Sequence, residues 1–188
     1  MEEAHMYNPY LIGQSVYLRP VELDDVTLIQ TWHNDPEIRK LAVGGRLPYT
    51  KDAEEEDIKT ASQSDKKAYL MMVKKSDDKP IGFIRLDFWD PFCGIVWLRI
   101  IIGDKNSWGQ GYGSDVLRCT LCWLFQELNV HRVELETFAT NERALKFFKK
   151  IGFKQEGVRR QAHFSEGQYH DVVLFSLLKE EFLNEEIS

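Results

Sequence analysis

The chain has 188 residues and a formal net charge of −6, with 43% hydrophobic, 29% charged and 12% aromatic side chains. This length suits one domain with its own core, and the composition excludes collagen-like and intrinsically disordered chains. The acidic balance disfavours a surface that binds nucleic acid through many phosphates, so an anionic ligand would have to be bound locally.

Three cysteines are an odd number and give no disulfide framework of the kind typical of secreted proteins. The first residues lack the basic and then apolar layout of a signal peptide, and the longest apolar run, 95–102, is too short for a membrane span and contains Arg99. Cys119 and Cys122 form a C-x-x-C pair inside a helical segment with no second pair, which favours core packing over a metal site. We therefore expect a cytoplasmic protein with no metal and no membrane partner.

The first half of the chain predicts a strand, two helices and then three strands. The predicted strands cover 16–19, 68–74, 80–88 and 94–103, and the predicted helices cover about 23–34 and 52–62. Asp35-Pro36 marks a break after the first helix, and Gly44-Gly45 marks a loop. Thr50 is a cap residue for the second helix, which has few apolar residues and should lie on the surface. The connections between the last three strands are short and include Asp90-Pro91, so these strands should be antiparallel.

The second half predicts a parallel crossover followed by a hairpin. A glycine-rich loop over 104–113 precedes a helix over 114–128 and a strand over 132–138, an order that indicates a right-handed crossover. Asn141 can cap a second helix over 142–150, which Gly152 ends. A hairpin over 153–164 and 169–178 and an acidic helix over 179–185 follow. The expected fold is α/β, with a mixed, mostly antiparallel sheet flanked by helices.

The loop before the crossover helix has the chemistry of a phosphate site. It reads Trp108-Gly109-Gln110-Gly111-Tyr112-Gly113-Ser114. Glycines let the backbone approach a ligand closely, and the amides of a helix's first turn point outward with the positive end of the helix dipole behind them. A Walker loop would need Lys before Ser114, and a dinucleotide loop would need G-x-G-x-x-G; the sequence has neither. A plain glycine-rich turn is the alternative.

The loop resembles the pyrophosphate loop Q/R-x-x-G-x-G/A of the Gcn5-related N-acetyltransferase (GNAT) superfamily, with Trp108 at its first position. Trp at that position is familiar in the RimJ/RimL-type branch, which acetylates protein N-terminal amines and related amines. Further segments similar to that branch are Trp32-His33-Asn34-Asp35-Pro36-Glu37, Pro80-Ile81-Gly82, Asn141, Ile151-Gly152-Phe153 and Glu166-Gly167-Gln168-Tyr169-His170-Asp171. The resemblance covers about 14–183, so we expect residues 1–188 to form a single N-acetyltransferase domain.

This resemblance implies acetyl-coenzyme A (acetyl-CoA) as co-substrate, held where the central strand and the next parallel strand splay apart. The residues that would bind it are Ile100, Ile101, Ile102, Trp108, Gly109, Gln110, Gly111, Tyr112, Gly113, Ser114, Asn141, Lys146 and Phe148. Asn141 can also be simply a helix cap. Lys146 shares a basic stripe with Arg143 and Lys150, which could attract phosphates or be a solvated face.

Amide formation needs a neutral amine and a proton for the departing thiolate. Many GNAT relatives supply a Tyr on the second helix and a Glu on the central strand, where this chain has Phe148 and Trp97. The remaining candidate bases, by strand position only, are Asp87, Glu134 and Glu136. The pattern favours a surface charge over a base at each of these carboxylates. For the acid, Tyr169, Tyr112 or a water could substitute, or the coenzyme A thiolate could leave without a strong acid.

The same resemblance places the acceptor between the first-helix region and the terminal hairpin. The candidate residues there are Trp32, Asp35, Glu37 and His170, and Trp32 could equally belong to the core. The expected function is acetyl transfer to a primary amine of a protein N-terminus or of a small molecule such as a polyamine, aminoglycoside or amino sugar. No nucleic-acid partner is expected, and a homodimer is left open. The alternative is a catalytically silent protein that binds or senses acyl-CoA, which Phe148 and Trp97 favour.

Overall fold

The structure, a computed structural model, describes residues 8–42, 47–90 and 92–186 and has an eight-stranded sheet at its centre. The strands are β1 (Leu11–Ile12), β2 (Val16–Pro20), β3 (Lys67–Lys74), β4 (Pro80–Asp90), β5 (Ile95–Ile102), β6 (Arg132–Phe138), β7 (Lys154–Ser165) and β8 (Gln168–Leu178). Their order is β1-β2-β3-β4-β5-β6-β8-β7, and the neighbours are antiparallel except β5 and β6. The predicted fold class and parallel crossover are confirmed, whereas β1 was not predicted. Gly44-Gly45 and Pro91 lie outside the described residues.

Helices flank both faces of this sheet. They are α1 (Val26–Asn34), α2 (Pro36–Leu41), α3 (Lys51–Ser62), α4 (Tyr112–Cys122), which continues as a π-helical turn, α5 (Glu142–Ile151) and α6 (Lys179–Glu186). The break predicted at Asp35-Pro36 does end α1, but it also begins α2. The Asp35 side chain accepts hydrogen bonds from the backbone N–H groups of Glu37 (2.9 Å) and Ile38 (3.1 Å), and Pro36 suits the first turn because its missing N–H needs no partner there. Within the described ranges, no helix is long and apolar enough to span a membrane.

Two apolar cores lie on opposite faces of the sheet because side chains alternate along each strand. On one face, Val96 and Leu98 of β5 pack with side chains from α4, α5 and α6. On the other face, Ile101 of β5 packs with side chains from α1, α2 and α3. The expectation that α3 is a surface helix needs correction, since Ile58 and the carboxylate of Glu54 are buried against this face.

A buried His–Glu pair joins α1 to α3. Glu54 Oε1 bonds Nδ1 of His33, and the His33 ring stacks on Tyr49 with ring centroids 4.2 Å apart. Asn34 adds a second link, because its side chain accepts from the Tyr49 N–H (3.0 Å) and donates to the Tyr49 carbonyl (2.8 Å). These contacts fix α1 against the segment that leads into α3.

The two parallel strands pair over only part of their length. Ile95–Trp97 of β5 pair with Arg132–Glu134 of β6, and no pairing continues beyond Trp97 and Glu134 in the described chain. β5 nevertheless runs on to Ile102 beside β4, and β6 runs on to Phe138 beside β8. The strands therefore separate at their carboxyl ends, and the sheet opens between them.

Candidate active site

A cleft of about 360 Å³ lies where β5 and β6 separate. Most of the residues predicted to bind the cofactor line it, namely Ile100, Ile101, Ile102, Trp108, Gly109, Gly111, Gly113, Ser114, Asn141 and Phe148. Three predicted residues have other surroundings. Gln110 donates to the Asn106 carbonyl, Tyr112 packs against the core, and Lys146 pairs with Glu142 on the surface.

The glycine loop leaves backbone donors at the mouth of the cleft. Gly109 and Gly111 have positive φ angles of 75° and 89°, and a Cβ built on either would meet no protein atom within 4 Å. Gly111 is the N-cap of α4 and has no side chain to cap it, while its carbonyl accepts from the N–H of Ser114 (3.0 Å). The N–H groups of Tyr112 and Gly113 precede the first intrahelical bond, so they are donors without an acceptor in the helix. An anion fits this open cradle.

Trp108 connects the loop to both walls of the cleft. Its indole Nε1–H donates to the carbonyl of Ile102 at the end of β5 (2.7 Å), and its ring lies 4.2 Å from the guanidinium carbon of Arg143 on α5. A cation over an indole face is held by the ring quadrupole, so this contact positions the guanidinium beside the glycine loop. A guanidinium suits phosphate, because its planar fork of donors can bond two oxygens.

Arg143 and Lys150 are the members of the predicted basic stripe that line the cleft. The sequence predicts Lys146 as the cofactor residue of this stripe, but in the structure its side chain is 81% exposed and forms an i,i+4 pair with Glu142 at 3.4 Å. The helical spacing identifies a shared side of α5, but it does not say which part of that side borders the loop.

Two polar side chains hold the elements around the cleft. Asn141 caps α5 by accepting from the N–H of Ala144 (3.1 Å), and its Nδ2 donates to the carbonyl of Leu41 at the end of α2 (3.0 Å). Both readings of Asn141, cap and cleft residue, are therefore compatible with its position. On α4, Asp115 accepts from the N–H groups of Gln14 (2.8 Å) and Ser15 (2.6 Å) in the β1–β2 turn. Partial burial acts to raise the pKa of Asp115, but these hydrogen bonds outweigh it and hold that pKa below its ordinary value.

An aromatic cluster forms the apolar wall of the cleft. Phe148 is 6% exposed, and its ring centroid lies 5.3 Å from that of Phe147, 5.9 Å from that of Phe153 and 6.0 Å from that of Phe175. This wall offers van der Waals contact to an apolar chain, and the Phe148 ring offers no proton.

The cleft and its glycine loop match a known domain family. The family model of the acetyltransferase (GNAT) domain matches residues 15–154, more than half of the chain. The chain belongs to this family. It is an N-acetyltransferase, and enzymes of the family use acetyl-CoA as the acyl donor.

Relatives of this acetyltransferase match along most of its length. The uncharacterized N-acetyltransferase p20 of Bacillus licheniformis is 27% identical over 176 residues, which are 92% of this chain and 97% of the relative. The spermidine N(1)-acetyltransferase of Vibrio cholerae is 25% identical over 173 residues, 92% of this chain and 98% of the relative. The same fold is seen in a crystal structure of the spermidine N-acetyltransferase from Vibrio cholerae in complex with CoA and spermine, with a TM-score of 0.83 and 23% identity. The match covers 90% of this chain and 99% of that chain.

The predicted catalytic residues of this acetyltransferase differ in whether they line the cleft. Asp87 and Glu134 are the partners of Trp97 on the two neighbouring strands, and neither is among the described residues that line the cleft. Glu134 instead accepts from Arg132 Nε (2.5 Å). Tyr169 is 64% exposed and contacts Phe164, at the hairpin tip. Glu136 does line the cleft, with its side chain 13% exposed and paired with Arg159.

The predicted acceptor residues have structural partners. Trp32 is buried, and a Cβ added to Gly103 would lie 2.1 Å from its ring, so Trp32 packs in the core. Asp35 and Glu37 both pair with Lys105 Nζ, at 2.8 and 2.9 Å, and the hydrogen bond from Lys105 is the main reason that the pKa of Asp35 is lowered. His170 Nε2 lies 3.3 Å from the carbonyl of Ser165.

The side chains of α2 that reach the cleft are apolar. Ile38 and Leu41, together with Ala42 at the C-cap of α2, line it on the face of the sheet that α1 and α3 also cover. The sequence missed these residues because α2 itself was missed. The signal that could have found the helix is an Asp-Pro pair followed by Glu37, which is an N-cap, a first-turn proline and a first-turn acid.

Proposed function

We propose that this acetyltransferase transfers the acetyl group of acetyl-CoA to a primary amine, either of a small molecule or of a protein N-terminus. The observation that carries the proposal is the open cradle at Gly109 and Gly111, which faces a cleft between parting strands. The names of relatives such as spermidine N(1)-acetyltransferase support a small-molecule amine. Membership of the RimJ/RimL-type branch remains a prediction.

The proposed binding mode divides the donor between three regions. The N–H groups of the glycine loop and the guanidinium of Arg143 hold the pyrophosphate, because both are donors at the same end of the cleft. The backbone of Ile100–102 and the ring of Phe148 contact the pantetheine arm. This arrangement leaves the thioester near the point where β5 and β6 diverge.

Glu136 is the proposed proton acceptor. The acetyl-CoA thioester supplies the acyl group: the amine nitrogen forms a bond to its carbonyl carbon, the carbon–sulfur bond breaks, and the sulfur leaves as a thiolate. A primary amine has a pKa near 10 and reaches the site mostly protonated, so a carboxylate must take its proton directly or through water. The ion pair with Arg159 holds the carboxylate of Glu136 at the wall of the cleft. The proton is passed on to the thiolate through solvent, since Phe148 cannot donate one.

The experiment mixes the protein, acetyl-CoA and a panel of amines, and it follows the release of free thiol. We expect Glu136→Gln to lower kcat at least about 100-fold with an unchanged Kd for CoA, because only proton transfer is lost. Glu134→Gln is the matched comparison on the same strand and face, and a larger loss there would assign the base to Glu134. Binding of CoA without turnover of any amine would instead support the alternative of a silent acyl-CoA binder.

A further inference from the structure

A cation, Arg99, lies in the cleft on the face of the sheet opposite α4, α5 and α6. Arg99 lines the cleft and lies two residues before Ile101 on β5, so both side chains project from the face that α1, α2 and α3 cover. Among the described residues, no carboxylate or carbonyl forms an ion pair or hydrogen bond with Arg99.

Two neighbouring charges of this face, Arg85 and Glu136, are already paired. Arg85, directly opposite Arg99 on β4, bonds Asp57 (2.8 Å), and its guanidinium carbon lies 5.1 Å from the ring centroid of Tyr69. Glu136, across the opening on β6, is paired with Arg159.

Arg99 and Glu136 flank the opening at equivalent positions. β5 and β6 last pair at Trp97 with Glu134, and each charged residue follows two positions later on its own strand. An acceptor that brings its amine to Glu136 therefore presents its remaining groups to Arg99. Because Arg159 already balances Glu136, the excess charge of this half of the cleft is positive.

We propose that the acceptor is a small primary amine that also carries an anionic group, a carboxylate or a phosphate, and that Arg99 binds this anion. The inference rests on the proposed amine acetylation and adds the substrate class. A guanidinium presents parallel donors that match both kinds of oxyanion. A polyamine would instead bring further positive charges towards Arg99.

The test compares matched amines that differ in the anion. The carboxylate arm uses glycine, β-alanine and 4-aminobutyrate against their amides, the phosphate arm uses glucosamine 6-phosphate against glucosamine, and spermidine represents polyamines. We expect at least one anionic member to have a kcat/KM about 10- to 150-fold above that of its neutral partner, as expected for a hydrogen-bonded charge pair. Arg99→Gln should remove this preference, whereas Arg118→Gln, which removes an exposed arginine of α4 outside the cleft lining, should keep it.

A binding measurement separates this inference from the proposed function. Calorimetric titration of the preferred anionic amine into the protein without acetyl-CoA should give a Kd that Arg99→Gln weakens and Arg118→Gln leaves unchanged. Faster acetylation of spermidine than of every anionic amine, with no effect of Arg99→Gln, would overturn the inference and leave amine acetylation in place. If no amine is acetylated, the proposed function fails, and the titrations of all the anionic amines still decide whether Arg99 binds an anion.

Discussion

Replacing Gly111 by alanine tests the glycine loop with a well-defined perturbation. Gly111 has a φ of 89°, and an added Cβ meets no protein atom within 4 Å. The variant therefore gains backbone strain without a clash, and its free energy of unfolding should fall by about 1–2 kcal/mol. Gly167, in the turn between β7 and β8, is the matched control, because its φ is 80° and its Cβ position is equally open. Gly167→Ala should lose a similar free energy of unfolding.

The two variants should differ in their affinity for CoA. The methyl group of Gly111→Ala would occupy the space through which a pyrophosphate approaches the first-turn N–H groups of α4. Loss of one hydrogen bond to a charged group costs about 1.5–3 kcal/mol, which corresponds to an increase in Kd of about 10- to 150-fold. Gly167 is not among the described residues that line the cleft, so its variant should bind CoA as the wild type does.

Urea unfolding and calorimetric titration with CoA measure both quantities. The expected result is an equal loss of unfolding free energy in the two variants and a loss of affinity in Gly111→Ala alone. Equal Kd values for the two variants would refute the close approach of a phosphate to this loop, and with it the proposed binding mode.

Three further predictions concern single contacts. Arg143→Met should raise the Kd for CoA about tenfold and weaken its salt dependence, whereas Lys146→Met should change neither, as calorimetry at two salt concentrations would show. His33→Ala should lower the free energy of unfolding by about 3–5 kcal/mol, because Glu54 stays buried without its partner. Adding Glu54→Gln to this variant should recover part of the loss. A double variant that is no more stable in urea than His33→Ala would contradict the argument. Asp115→Ala should lower the free energy of unfolding by about 2 kcal/mol at pH 7. Since the pKa of Asp115 is lowered in the folded state, the stability that Asp115 contributes is complete above about pH 5 and is lost as the pH falls below about 3.9. The difference in unfolding free energy between wild type and variant should therefore shrink towards pH 2 in urea titrations. A difference that stays constant with pH would argue against this role of Asp115.

The sequence predicted the elements whose signals are local. Alternating apolar residues predicted β2 and β6 to within a few residues, and runs rich in aliphatic and aromatic residues predicted β3 and β4, because these patterns lie in consecutive positions of one strand. The cap at Asn141 and the stop at Gly152 predicted both ends of α5, since capping depends on one side chain or one left-handed backbone position. The glycine loop was also predicted, because an anion site made of backbone N–H groups depends only on consecutive residues.

The segment around Trp32 shows which contacts the local sequence did not predict. Trp32, His33, Asn34 and Asp35 stand together in the sequence, but their partners come from several parts of the fold and include Gly103, Glu54, Tyr49 and Lys105. A helix sends consecutive side chains in different directions, so their partners depend on what packs around it. Two of these residues were predicted to bind the acceptor, and in the fold they contact the core and a neighbouring loop.

What the sequence determined by itself is the family, most of the strands and helices along the chain, and the loop that can bind a phosphate. Only the tertiary structure decided which charged side chains border the cleft: Glu136 in place of Asp87 and Glu134, and Arg143 in place of Lys146. The physical reason is that the cleft exists only because β5 and β6 stop pairing after Trp97 and Glu134. The end of that pairing depends on contacts between strands far apart in the chain, so the spacing of residues within one strand or helix does not predict it.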